Sequence, residues 1–195
     1  PWFYDYKAGW TCARPHYPEK PAQYKWETDA DFGKYVDYVH AQLEELLTQY
    51  GPLAGIWFDP IMGYYARPDL FPMEETYALV RMLQPQALIS FKQGATGTED
   101  FAAPERSGHS LYSRVKKAYP KYAEVARHAW EGNKNKHNEI CDTLQPRGWG
   151  YIKSDDGKHK SPDAVMTMLQ KAAAQKMNLL LNTGPLPQGG IHPED

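Results

Sequence analysis

Residues 51–59 read GPLAGIWFD, and this stretch decides the fold class. The run Leu53–Phe58 is short and continuously apolar, which is typical of a strand buried on both faces of a parallel sheet. The run ends at Asp59, where polar residues take over. Gly51 and Pro52, just before the run, are stop signals for a preceding helix. The segment therefore predicts a helix, then a buried strand, then a polar loop.

The same alternation of helix and strand continues along the chain. Over Thr28–Gly51, apolar residues recur three and four positions apart, which predicts a helix that Asp29 or Asp31 can cap. Further helices are predicted over residues 74–83 and after Ser161, a candidate N-cap followed by proline. The predicted strands are Leu53–Phe58, Ala87–Phe91 and Asn178–Asn182, with Trp2–Tyr6 and His137–Cys141 as weaker candidates.

About five strands and four helical segments in alternation favour right-handed crossovers and a parallel sheet. Such a sheet is either doubly wound or closed as a barrel. No glycine-rich phosphate-binding motif follows any predicted strand, whereas polar loops rich in Trp, Asp, Glu and Gly do. We therefore expect an α/β fold of the (β/α)8 TIM-barrel type. At 195 residues in one domain spanning 1–195, the chain is short for a complete barrel of about 250 residues.

Composition excludes several classes of function. The 22 basic and 24 acidic residues give a formal net charge of −2, which offers no overall field to attract nucleic acid. No apolar run approaches the roughly 20 residues that cross a bilayer, so we expect a soluble protein that contacts no membrane, in a compartment left open. The two cysteines, Cys12 and Cys141, have no metal-site spacing and are expected to be free thiols.

One segment departs from this balance of charge. Residues 114–136 carry seven basic side chains against two glutamates, with Tyr119, Tyr122 and Trp130 among them. A solvated helical face broken at Pro120 is the favoured interpretation. Binding of an anionic polymer, a subunit contact and the wall of a ligand site are the alternatives.

Acidic residues follow two consecutive predicted strands. Asp59 ends the first, although an Asp-Pro pair also opens turns. The loop after the second carries Glu99, Asp100 and Glu105. Neighbouring parallel strands lie about 4.8 Å apart, so a loop carboxylate from one strand can approach a carboxylate on the next. Two carboxyl groups roughly 5 to 5.5 Å apart are what a retaining glycosidase needs, but spacing alone does not single out the pair.

Several segments resemble a known family. GPLAGIWFD at 51–59 is similar to the segment that carries the nucleophile in alpha-L-fucosidases of glycoside hydrolase family 29. WGY at 149–151 and NLLLNTGP at 178–185, with Gly189 and Ile191 after it, look like two further signatures of that family, in the same order. The resemblance extends over nearly the whole chain, starting at about Trp10.

The resemblance implies roles for individual residues. Asp59 would be the nucleophile, and Glu105, in the sequence DFAAPE at 100–105, the general acid/base in preference to Glu99. Trp57 would form a wall of the sugar pocket. Lys92 stands where many members carry an arginine, and a lysine keeps the charge but loses the planar fork of donors. The remaining implied substrate-binding residues are Trp10 and Trp149, and Glu139, in NEICDTL, looks like a further family segment.

The resemblance also implies what to expect beyond these residues. Neither a metal nor an organic cofactor is implied, and the substrate would be a fucosylated oligosaccharide or glycoconjugate. The family's N-terminal strands, with their sugar-binding histidines, have no counterpart, since His16 and His40 do not match them. We therefore expect a barrel truncated on its N-terminal side to about five strands and completed by homo-oligomerisation or by a separate N-terminal half. The alternative is a catalytically inactive carbohydrate-binding fragment.

Overall fold

The computed structural model describes residues 28–59, 61–106 and 108–195. The α-helices are α1 (Asp29–Gln49), α2 (Ile61–Ala66), α3 (Met73–Leu83), α4 (Tyr112–Ala118), α5 (Ala123–Asn133) and α6 (Pro162–Ala174). Short 3-10 turns occupy Pro68–Leu70, Pro120–Tyr122 and Lys153–Asp155. The strands are β1 (Gly55–Phe58), β2 (Leu88–Phe91), β3 (Glu139–Thr143) and β4 (Asn178–Asn182). The strand predicted at Trp2–Tyr6 lies outside the described residues, as do Trp10, Cys12 and His16.

Helix ends follow local sequence with one correction. The N-cap of α1 is Thr28, not Asp29 or Asp31 as predicted. Asp31 instead accepts a hydrogen bond from the Thr28 backbone N–H at 2.9 Å, because a carboxylate at the third helical position reaches back to the cap residue. At α6 the prediction is confirmed, since the Ser161 hydroxyl accepts from the Ala164 N–H at 3.2 Å. The basic segment breaks at Pro120, as predicted.

The four strands form two parallel pairs. In the first pair β1 lies beside β2, with Phe58 opposite Phe91. In the second pair β3 lies beside β4, with Glu139 opposite Asn178. The fold is therefore α/β with parallel strands, as predicted. The described residues form two small sheets rather than a closed barrel.

An irregular segment at residues 100–106 lies between the two pairs. Phe101 makes a parallel bridge to Ser90 of β2, and Glu105 makes one to Cys141 of β3. The Ala103 N–H donates to the carbonyl of Lys92 at 2.5 Å, while the Cys141 N–H donates to the carbonyl of Pro104 at 3.1 Å. The carboxyl ends of β1, β2, this segment, β3 and β4 consequently lie along one edge. Sequence analysis read these residues only as a loop.

Burial differs between the two sides of the strands. Ile89 and Phe91 point into the main core, where residues of α1, α3, α4 and α5 pack against them. On the opposite side, Trp57 is 37% exposed and Leu180 is 45% exposed. The prediction that the strand in Leu53–Phe58 is buried on both faces is therefore wrong, because helices of the described chain cover only one side of it. The uncovered side carries the polar residues described below.

One polar side chain, Gln84, fastens the end of α1 to the start of β1. Gln84, just after α3, donates to the carbonyls of Leu47 and Gly51 at 2.7 and 2.9 Å. Its oxygen accepts from the Leu53 N–H at 2.7 Å, so one buried amide fixes the turn between α1 and β1. Gly51 itself has φ of 78°, a conformation that glycine adopts without steric cost.

Candidate active site

Asp59 and Lys92 stand side by side at the carboxyl ends of β1 and β2. The register that pairs Phe58 with Phe91 places them opposite each other. Lys92 Nζ lies 3.7 Å from the Asp59 Oδ1 atom. A lysine and an aspartate from neighbouring parallel strands therefore form an ion pair, as expected when both side chains leave the same face of the sheet.

Lys92 is buried although it carries a charge. Only 3% of the residue is exposed, and its ammonium lies 4.7 Å from the centre of the Trp57 ring and 5.3 Å from that of Trp149. Two aromatic faces and a carboxylate compensate a cation that would otherwise be costly to bury. Lys92 thus connects Asp59 to Trp57 and Trp149, two of the three tryptophans predicted to bind substrate.

Three influences set the protonation of Asp59, whose side chain is 56% exposed. Partial burial raises the pKa of Asp59, the Lys92 ammonium opposes that rise, and the negative charge of Glu105 adds to it. The net pKa lies above the ordinary value. Glu105 therefore lies close enough to Asp59 for its charge to act on the pKa of Asp59.

Glu105 reaches this cluster from the irregular segment between β2 and β3. It is exposed and forms a parallel bridge to Cys141. The next residue, Arg106, adopts φ of 58°, a left-handed conformation that is uncommon outside glycine and often marks functional sites. The Arg106 N–H donates to the Cys141 carbonyl at 2.8 Å, which fixes the backbone immediately after the acid.

Arg106 was not singled out from sequence, and its surroundings connect it to the site. Its guanidinium carbon lies 5.5 Å from the centre of the Trp149 ring, and its Nε lies 3.9 Å from Asp142 Oδ1. Asn182, at the end of β4, donates to the Trp149 carbonyl at 2.9 Å. The position directly after Glu105 is the signal that could have drawn attention to this arginine.

A third carboxylate, Glu139, is the first residue of β3 and lies opposite Asn178 of β4. Burial raises its pKa, and a hydrogen bond from the Trp57 side chain and the charge of Lys92 oppose the rise. Its Oε1 atom is buried and has no hydrogen-bond partner among the described residues. Cys141, two residues further along β3, is a buried free thiol, and burial raises its pKa as well. Glu139 and Cys141 are therefore members of the cluster around Lys92.

Glu99, the alternative acid/base, lies in a different environment. Its Oε1 accepts from the Tyr77 hydroxyl at 2.7 Å and from the N–H groups of Ala95 and Thr96 at 2.5 and 3.0 Å. Its Oε2 accepts from the Asn133 side chain at 2.7 Å. Burial would raise the pKa of Glu99, but these hydrogen bonds lower it overall. The Gly97 N–H also donates to Oε2, at 3.0 Å. A buried carboxylate held in its ionised form by five such donors is poorly suited to give up a proton.

The chain matches the family model for alpha-L-fucosidase over residues 3–195. It belongs to the alpha-L-fucosidase family. The resemblance of the 51–59, 149–151 and 178–185 segments is thereby confirmed at the level of the family. Among curated proteins no similar sequence was found.

Solved structures of this family resemble the fold. Alpha-L-fucosidase isoenzyme 1 from Paenibacillus thiaminolyticus is 29% identical with a TM-score of 0.59, and the match covers 83% of this chain and 36% of that one. A glycoside hydrolase 29 family member from an unknown rumen bacterium is 27% identical with a TM-score of 0.55, covering 82% and 31%.

A third solved structure, with lower sequence identity, is similar in fold. Alpha-L-fucosidase AlfC from Lactobacillus casei, solved in complex with alpha-L-fucose product, is 24% identical with a TM-score of 0.55, covering 83% of this chain and 42% of that one. The chain thus spans about a third to two fifths of the length of the solved proteins that it matches.

Within residues 28–59, 61–106 and 108–195, none of the helices is both long and apolar enough to cross a bilayer.

Several side chains of the basic segment at residues 114–136 make ion pairs or hydrogen bonds with other residues of the chain. Arg127 pairs with Glu124 at 2.6 Å, and Lys136 donates to the Gly97 carbonyl at 3.0 Å.

Proposed function

We propose that this chain carries the catalytic carboxylates of a retaining alpha-L-fucosidase that removes terminal alpha-L-fucose from oligosaccharides or glycoconjugates. Membership of the family supports the substrate class. The observation that carries the assignment of residues is the cluster at one sheet edge, in which the charge of Glu105 acts on Asp59 and Lys92 pairs with Asp59. The substrate-binding residues are Trp57, Lys92 and Trp149, with Trp10 assigned by resemblance alone.

Asp59 is the proposed nucleophile. Its carboxylate attacks the anomeric carbon of fucose, and the glycosidic carbon–oxygen bond breaks. Lys92 favours the ionised form of Asp59, which opposes the rise in pKa caused by burial. A nucleophile must be deprotonated to attack, so a buried ammonium on the neighbouring strand keeps this carboxylate ready at neutral pH.

Glu105 is the proposed general acid/base. In the first step it gives its proton to the departing oxygen, and in the second it takes a proton from water while the water oxygen attacks the anomeric carbon. The bond to Asp59 then breaks and the free carboxylate is regenerated. Two displacements at one carbon return fucose with its original configuration.

The order of the strands supports this pairing. Asp59, Lys92 and Ala103 lie at one level across the parallel strands, and Glu105 lies two residues further along the segment that carries Ala103. Glu105 is therefore offset from Asp59 by two interstrand spacings of about 4.8 Å and by two residues along the chain. The two carboxylate side chains have to reach across this offset to act on one sugar.

Hydrolysis of 4-nitrophenyl alpha-L-fucoside tests the proposal. We expect wild-type activity to be abolished in Asp59→Gly and strongly reduced in Glu105→Ala, while Glu124→Ala, an exposed carboxylate change on α5, leaves it intact. Azide should restore turnover to Asp59→Gly by replacing the missing nucleophile and giving a fucosyl azide.

The configuration of the first product, followed by proton NMR, tests retention. If wild type binds fucose but hydrolyses no fucoside, the alternative of a catalytically inactive carbohydrate-binding fragment replaces this proposal. Equal activity in the wild type and Asp59→Gly would refute the assigned nucleophile while leaving the family membership untouched.

We also propose that a partner completes the barrel, either further copies of this chain or a separate N-terminal half. Among the described residues, no strand pairs with the outer edge of β1 or of β4. Trp57 and Leu180 on the uncovered side are partly exposed, and bare edges and apolar faces of parallel sheets are normally covered. Light scattering of the purified chain checks this, and a stable, fully active monomer would contradict it.

A further inference from the structure

The turn after the 3-10 segment at 153–155 and the residues after Ile191 bring together a second cluster of polar side chains. Asp156, His159 and His192 each offer one ligand atom, and these atoms all lie within 4.8 Å of one another. The His192 Nε2 atom lies 3.5 Å from Asp156 Oδ1. None of these three residues takes part in the cluster around Asp59.

His159 is the best-defined member of this cluster. Its side chain is 2% exposed, and its Nδ1 lies 2.6 Å from the Asp195 carboxylate. A carboxylate accepts only, so Nδ1 carries the proton and Nε2 presents a lone pair. That Nε2 atom is buried and has no hydrogen-bond partner among the described residues. A buried acceptor without a donor is costly and calls for a ligand.

The surroundings of His159 fit a metal ligand. Metal-binding histidines usually donate their second ring N–H to a carboxylate, which fixes the ring and makes it a stronger donor. Asp195 fills this role and is itself held at 2.5 Å by the Thr183 hydroxyl. Glu194 accepts from the Gly157 N–H at 2.6 Å and from the His159 N–H at 3.3 Å. Two consecutive acidic residues thus brace the turn that carries His159.

The second imidazole, His192, is also nearly buried. Its side chain is 10% exposed, and its ring stacks on Tyr151 at a centroid distance of 6.0 Å. In the structure its Nδ1 accepts from the Glu194 N–H at 3.2 Å, so a ligand at Nε2 requires the ring proton to move to Nδ1. The Glu194 Oε1 atom lies 3.9 Å from His192 Nδ1. After a small rotation, this carboxylate can accept a hydrogen bond from the protonated Nδ1.

We propose that Asp156, His159 and His192 bind a divalent first-row transition metal, Zn²⁺ being the best match. Two imidazoles and one carboxylate form a donor set that suits zinc, whereas Ca²⁺ and Mg²⁺ favour oxygen ligands alone. The carboxylates of Asp156, Glu194 and Asp195 supply negative charge for a dication. Sequence analysis implied no metal, and this inference does not depend on the proposed fucosidase activity.

A metal here would fasten the loop that carries Trp149. Tyr151 follows Trp149 by two residues and stacks on His192, and the Trp149 carbonyl is held by Asn182. Binding would therefore link the 149–160 loop to the chain after β4. The expected role is structural, since the ligands are separate from the reacting carboxylates.

Zinc titration of the chelator-treated full chain, followed by calorimetry, tests the proposal. We expect one saturable site per chain, a higher thermal midpoint with Zn²⁺, and no competition from Mg²⁺ or Ca²⁺. His159→Gln and Asp156→Asn should each weaken binding by at least about tenfold, and Asp195→Asn by about 10- to 100-fold through the supporting hydrogen bond. His128→Gln, a change of an exposed histidine on α5, should bind as wild type.

Other outcomes overturn the proposal. Absence of saturable Zn²⁺ binding by the wild type would mean that a water molecule satisfies the buried nitrogen of His159. Binding that survives both His159→Gln and Asp156→Asn would place the metal elsewhere. Asp156 is exposed, so Asp156→Asn remains informative if the buried histidine variant fails to fold.

Discussion

Glu99 and Glu105 lie six residues apart in one loop, and the fold uses them in opposite ways. Glu99 is buried, and its hydrogen bonds to Tyr77, Asn133 and backbone N–H groups join α3, α5 and the turn at 95–99. Glu105 is exposed at the edge of the strands, and its charge raises the pKa of Asp59. Under the proposed function, identical chemical groups serve stability in one place and reactivity in the other.

The difference shows what separates a structural carboxylate from a reactive one. Donors from several elements satisfy both oxygens of Glu99. The carboxylate therefore stays ionised and has no proton to give to a substrate. In the cluster around Asp59, the single ammonium of Lys92 acts on both Asp59 and Glu139, while the charge of Glu105 also acts on Asp59. Incomplete compensation of charge leaves groups whose protonation a substrate can change, which is the usual condition of catalytic sites. Replacing each group separately tests this contrast.

Among the changes that compare the two glutamates, the largest effect is expected from Glu105→Gln. Removing the proton donor should lower kcat/KM for a fucosyl disaccharide by about 10²- to 10⁴-fold, and by less for 4-nitrophenyl fucoside, whose leaving group needs little protonation. The thermal midpoint should stay close to that of wild type because Glu105 is exposed. Kinetics with both substrates check this. An equal loss on the two substrates would argue against the acid/base role.

The matched change Glu99→Gln should act on stability instead. An amide in place of the carboxylate sets a donor against a donor, and we expect a loss of about 2 to 4 kcal/mol in the free energy of unfolding. Urea denaturation measures it, and kcat of the folded fraction should be retained. Loss of kcat in fully folded Glu99→Gln would reopen the choice of acid/base.

The pH dependence of that loss has a definite sign. Hydrogen bonds lower the pKa of Glu99 in the folded state despite burial. Its stabilising contribution is therefore present above the unfolded pKa of about 4.3 and is lost as pH falls through the folded value. The stability gap between wild type and Glu99→Gln should accordingly close in acid. A gap that stays constant down to low pH would mean that the ionised form is not what the fold binds.

Sequence patterns predicted the parts of this arrangement that depend on neighbours along the chain. The apolar run before Asp59 predicted β1 and its end, and Ser161 followed by proline predicted the start of α6. Both depend on local periodicity and capping. The family resemblance, in turn, named Asp59, Glu105 and Lys92 as one group of residues.

Long-range contacts could not be predicted in this way. Nothing in the sequence around Glu99 reveals that Tyr77 and Asn133 satisfy it, since these donors come from two other helices. Residues 100–106 show no alternation of apolar and polar residues, so their strand-like pairing could not be predicted from the sequence. His159 and His192 are 33 positions apart, and only the turns after β3 and β4 bring them together. These features arise from tertiary packing rather than local preference.

A change at Lys92 should produce an intermediate effect. The ammonium lowers the pKa of Asp59, so Lys92→Met should raise it and move the acid limb of the kcat/KM profile to higher pH. Lys92→Arg keeps the charge and should leave the limb near its wild-type position. Rate profiles of the three proteins against pH provide the measurement. An unshifted limb in Lys92→Met would show that Asp59 does not control it.

The smallest effect is expected from Asp59→Asn on stability. Burial and Glu105 raise the folded pKa of Asp59 above its unfolded value, so any stability linked to its proton is present below the unfolded pKa and is lost as pH rises through the folded one. This sign is opposite to that of Glu99. Wild type should therefore lose a little stability relative to Asp59→Asn as pH rises.

The size of this loss is limited because the Asp59 side chain is 56% exposed and solvent screens its interactions. Thermal unfolding of the two proteins across the acid range measures the difference, with Glu99→Gln as the reference for the opposite slope. If the slopes for Asp59 and Glu99 had the same sign, the two carboxylates would be held alike, and the contrast between a satisfied and an unsatisfied charge would fail.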